Sequence, residues 1–87
     1  MAKFMAVHTL PVDRKQALAL AAQISDKPRE GFVWKQSYCD FTNHKFFCDW
    51  EAPSKDALES AFKARNMPFD AIYPVEVLQV ANGTFEK

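Results

Sequence analysis

From Lys3 to Thr9 the chain is apolar and rich in strand-forming side chains, and the Leu10-Pro11 step closes the run because proline has no N–H to give a ladder. The pattern predicts a first strand over Lys3–Thr9. The apolar period then changes: Ala17, Leu20, Ala21 and Ile24 recur at helical spacing, with Gln16 three residues after Asp13 as in a capping box. This predicts a helix that stops before Pro28, then a polar loop over Asp26–Gly31. Phe32–Asp40 and Lys45–Ala52 alternate with a period of two about a turn at Phe41–His44, which reads as a hairpin. Pro53-Ser54 opens a second helix. Ser54 is placed to cap it, Asp56 suits the positive end of its dipole, and Leu58, Ala61 and Phe62 share a side. That helix ends near Asn66, ahead of Pro68. Tyr73–Val80 is strand-like again, and the tail from Asn82 is expected to fray.

The resulting order, β-α-β-β-α-β, predicts an α+β, ferredoxin-like domain: a four-stranded antiparallel sheet with two helices on one face. One domain over residues 1–87 accounts for the whole sequence. Alternation also sorts the side chains. A hairpin centred on Thr42-Asn43 sets Tyr38 opposite Phe47, Gln36 opposite Asp49 and Trp34 opposite Glu51, all on one face. The other face carries Val33, Ser37, Cys39, Phe46, Cys48 and Trp50, and is assigned to the helices as the more apolar set. In the first strand, the matching choice puts Met5 and Val7 under the helices and Phe4, Ala6 and His8 on the open face. That open face would hold more aromatic surface than a monomer leaves in water, so a homodimer through it is expected.

Composition narrows the partners. Eleven basic and eleven acidic residues cancel, so no global field draws the chain to nucleic acid or anionic lipid. No run approaches the roughly 20 apolar residues that cross a bilayer, and no cleavage pattern follows the start. Cys39 and Cys48 lack CxxC spacing and read as reduced, packed thiols; together these features point to a cytoplasmic protein.

Several stretches resemble, in order and spacing, a small bacterial family of nickel-binding, ferredoxin-like proteins, formerly a domain of unknown function. They are Trp34 with Ser37-Tyr38, Phe47-Cys48 leading to Glu51-Ala52-Pro53, and Met67-Pro68-Phe69-Asp70-Ala71-Ile72 before Pro74-Val75. The resemblance implies a ferredoxin-like dimer and a divalent metal such as nickel, with Asn66 standing where relatives would carry a helix-ending glycine.

The chain's own candidates for such chemistry sit on the expected open face. His8 would lie diagonally from Asp49, and a histidine with a carboxylate begins either a metal site or an acid–base pair. Glu51, one strand repeat further, is the third candidate ligand, reaching His8 only through a partner or a water. The same residues also suit plainer roles: His8 hydrogen-bonded at an interface, Asp49 paired with Gln36, and Glu51 in a salt bridge. Trp34, Gln36, Tyr38 and Phe47 would line a ligand pocket or pack the interface. His44 falls in the turn. Three functions remain open: a dimeric metal-binding protein, an interaction module without ligand, or a dimeric α+β barrel enzyme (an isomerase or cofactor-free oxygenase) with His8 as base. No complete catalytic constellation favours the last.

Overall fold

The computed structural model of the chain describes residues 2–26 and 30–86. Strand β1 (Ala2–Thr9) leads through helix α1 (Arg14–Asp26) to the hairpin β2 (Val33–Asp40) and β3 (Lys45–Ala52). Helix α2 (Lys55–Ala64) and strand β4 (Ala71–Pro74) follow, and a short hairpin of β5 (Leu78–Gln79) and β6 (Thr84–Phe85) ends the chain. The main sheet has the order β2-β3-β1-β4, antiparallel throughout, which is the ferredoxin-like arrangement the element order predicts. The predicted stop of α1 before Pro28 lies outside the described residues.

Local chemistry sets the helix ends. The Asp13 N–H donates to Gln16 Oε1 (2.9 Å) and the Gln16 N–H to Asp13 Oδ1 (2.8 Å), a reciprocal capping box. Ser54 Oγ accepts from the Ala57 N–H at 3.1 Å and caps α2. Past the end of α2, Asn66 adopts φ 55°, the left-handed conformation that glycine takes freely and asparagine tolerates.

The core lies between the sheet and α2, where Leu58 and Phe62 pack on Phe4, Ala6, Trp50 and Ile72. Helix α1 stands further off. None of its side chains described is fully buried, and Leu18 is 73% exposed.

Three sequence expectations need correction. The face assignment of β1 is inverted: Phe4 pairs with Trp50, Ala6 with Cys48 and His8 with Phe46, so Phe4, Ala6 and His8 lie under the helices while Met5 and Val7 face the open side. In β2 an irregularity between Trp34 and Gln36 inserts an extra residue, Lys35. It carries Trp34 to the helix side, opposite Trp50, and Val33 to the open side, opposite Glu51. Finally, Tyr73–Val80 is not one strand. Pairing with β1 ends near Val75, whose N–H donates to Lys3 O at 3.1 Å, and the chain beyond Asn82 returns as β6 instead of fraying.

Candidate functional site

The antiparallel register lays the open face out in cross-strand rows. Tyr38, Phe47, Val7 and Ala71 form an apolar row; Gln36, Asp49, Met5 and Tyr73 form the next; Val33, Glu51 and Lys3 form a third. Tyr38 and Tyr73 are largely exposed, and Phe47 is 38% exposed. Gln36, Tyr38 and Phe47 thus sit where alternation places them, whereas Trp34 stacks on Trp50 on the other side, with ring centroids 5.8 Å apart.

Charge gathers at the third row. The Lys3 ammonium lies 3.8 Å from Asp49 Oδ1, 3.7 Å from Glu51 Oε2 and 3.5 Å from Glu86 Oε1, and Lys35 reaches Glu51 Oε2 at 3.2 Å. Hydrogen bonding from Lys35, helped by the Lys3 charge, holds the Glu51 carboxyl below its usual range, and Glu51 in turn raises Lys35. Asp49 Oδ1 is buried and accepts no hydrogen bond from the described residues. Lys3, Lys35 and Glu86 were absent from the sequence candidates. Lys3 shares the phase of Met5 and Val7, so the inverted assignment of β1 hid it; Lys35 is displaced by the bulge, and no local pattern announces Glu86.

His8 does not join this cluster. It sits three residues along β1 from Met5, the partner of Asp49, and so points to the opposite face. Its Nδ1 donates to the Pro68 carbonyl at 2.7 Å, and its ring meets Phe62 edge-on at 5.2 Å. The set His8, Asp49 and Glu51 therefore does not converge within one chain. Among the described residues, no three His, Cys, Asp or Glu side chains gather as metal ligands. Burial pushes the Cys48 thiol up, away from the thiolate a metal would take, and Cys48 Sγ accepts from the Ser37 hydroxyl at 3.0 Å. The described residues of one chain do not by themselves gather a ligand set for nickel. They offer a pair of acidic side chains, Asp49 and Glu51, with Lys3 set between them.

The fold and this open face define a ferredoxin-like α+β domain with an aromatic and acidic sheet surface. The chain belongs to the SCO4226-like family, described as nickel responsive proteins, whose model matches residues 4–75. Among solved structures it is similar to SCO4226 from Streptomyces coelicolor A3(2), at 25% identity and a TM-score of 0.69, over 85% of this chain and 95% of that one. No curated protein matches the chain. Among the described residues, no helix is long and apolar enough to cross a membrane.

Proposed function

We propose that the protein is a homodimeric, nickel-binding member of this family, which pairs through its open sheet face and takes up the metal between the Asp49 and Glu51 carboxylates of two copies. The observation that carries this reading is Asp49 Oδ1: a buried carboxylate oxygen without a hydrogen bond among the described residues, with the Lys3 ammonium 3.8 Å away. Such an oxygen is costly to leave and attracts a cation. The description of the family as nickel responsive favours nickel as that cation. His8 has no part in the site, because it faces the helices. Lys3 competes with the metal for the same carboxylates, so the incoming ion displaces its ammonium.

Native mass spectrometry with nickel titration tests both parts. The expected result is a dimer that binds nickel, and an Asp49→Asn dimer that does not. A dimer indifferent to nickel, or Asp49→Asn binding it like the parent, overturns the metal site; a monomer overturns the pairing.

A further inference from the structure

On the opposite side of the sheet, α1 stands off and leaves a cavity of about 760 Å³, bounded by α1, α2 and the helix-facing side chains of β1 to β3. The volume falls within the range of about 300–1,000 Å³ typical of small-molecule sites. Its walls are mainly apolar, with Leu20, Ala21, Ile24, Phe32 and Leu58 among them. Water is a poor occupant, since each molecule needs two to four polar partners and these walls offer few. The lining follows α1 from Arg14 to Ile24, about 15 Å along the helix axis, so the space runs lengthwise under the helix.

The fully charged side chains on this lining are all of one sign. Arg14, Lys35 and Arg65 are there and no Asp or Glu, although the chain carries eleven acidic residues. Lys35 is paired with Glu51 at 3.2 Å, whereas Arg14 and Arg65 have no ion pair among the described residues. Both arginines belong to one end of the cavity. The Arg14 guanidinium lies 4.8 Å from the centroid of the Phe41 ring, and Phe41 meets Phe46 edge-on at 5.6 Å. Phe46 pairs with His8, whose Nδ1 donates to the carbonyl of Pro68, three residues past Arg65. From that cationic end Leu20, Ala21 and Ile24 continue the wall along α1. Arg14 also works against its own helix. It opens α1, where the positive end of the dipole disfavours a cation, and no acidic residue stands in that first turn. The neighbouring Asp13 turns its Oδ1 to the Gln16 N–H instead. An anion at this point satisfies the guanidinium and the dipole together. A lengthwise apolar space with a cationic mouth matches an extended apolar tail that carries one anionic head.

We propose that this cavity binds a lipophilic anion of the fatty-acid class, with its carboxylate on the exposed Arg14 guanidinium and its alkyl chain lying along α1. The site is separate from the open-face metal reading and does not depend on it.

The test is calorimetric titration of the full chain, kept metal-free with a chelator, using laurate as probe and dodecyltrimethylammonium as the probe of equal tail and opposite charge. One saturable laurate site per chain is expected, tighter than decanoate by about fifteenfold, the worth of two buried methylenes. Dodecyltrimethylammonium should bind about tenfold more weakly than laurate or less well still. Arg14→Gln is expected to weaken laurate about tenfold, the worth of a hydrogen bond to a charged group, without weakening dodecyltrimethylammonium. Its melting temperature should hardly move, because the variant loses the contact with Phe41 and the conflict with the dipole at once. Ala21→Phe, which fills the cavity from α1, should abolish laurate binding while circular dichroism shows the fold retained. Absence of saturable laurate binding in the parent overturns the proposal. Laurate binding in Arg14→Gln or Ala21→Phe that matches the parent, or dodecyltrimethylammonium bound as tightly as laurate, overturns it as well.

Discussion

Asp70, just ahead of β4, is tied to two other strands, β1 and β3. Its Oδ2 accepts from Thr9 Oγ1 at 2.5 Å and from Lys45 Nζ at 3.4 Å, while Lys45 Nζ also donates to Thr9 at 2.6 Å. The Thr9 hydrogen bond first, then the Lys45 ammonium, holds its carboxyl below the ordinary value of 3.8. A carboxylate depressed on folding contributes stability that is present above its unfolded value and lost as pH falls through its folded one. Asp70→Asn is therefore expected to be less stable than the parent in urea at pH 7, and the gap should shrink as pH drops below about 4. A gap independent of pH would show that shape, not charge, accounts for the loss. The residue scale was also where sequence reading went furthest astray. Asp49 and Glu51 stand on the face that alternation gives them, but His8 was joined to them through a diagonal that does not exist, because β1 is apolar on both faces. Phe4, Met5, Ala6 and Val7 give the phase of that strand no polar marker.

At the level of elements, the caps were the most legible features, since a cap is a short-range match between side chain and backbone. The Asp13–Gln16 box and the Ser54 cap both form as their spacing predicts. They should differ in weight. Ser54 starts the helix that carries Leu58 and Phe62 into the core, so Ser54→Ala is expected to cost about 1 kcal/mol of global stability by urea unfolding. Asp13→Ala starts a helix with no fully buried side chain among those described, and should instead raise hydrogen exchange within α1 while moving the urea midpoint less. An equal midpoint shift from both would mean that α1 is as firmly docked as α2. The hairpin register was legible for a similar reason. Asp40 Oδ1 accepts from the Thr42 and Asn43 N–H groups at 3.1 Å, pinning the turn, and the turn fixes Tyr38 opposite Phe47 and Gln36 opposite Asp49. Beyond Gln36 the extra residue at Lys35 breaks the period of two, and no composition cue marks it. Trp34 thereby left the predicted ligand face and became the stacking partner of Trp50.

For the whole molecule, the proposed pairing through the open sheet face is testable on its own. A domain this small buries only about 60% of the surface its unfolded chain exposes, so covering the Tyr38, Phe47 and Tyr73 side chains with a second copy adds stability that the core alone lacks. A two-fold contact sets each patch against itself. Phe47 lies mid-row between Tyr38 and Val7, and a charge there meets apolar surface from both its own sheet and the second copy. Phe47→Glu is therefore expected to turn the dimer into a monomer at micromolar concentration by sedimentation, with weakening of about 30-fold or more, the scale of a central interface residue. The monomer's nickel uptake should fall, since the carboxylates of one chain do not complete the metal's ligand set. A variant that stays dimeric would place the pairing surface away from the open face. A monomer that binds nickel as tightly as the parent would instead show that one chain suffices for the metal.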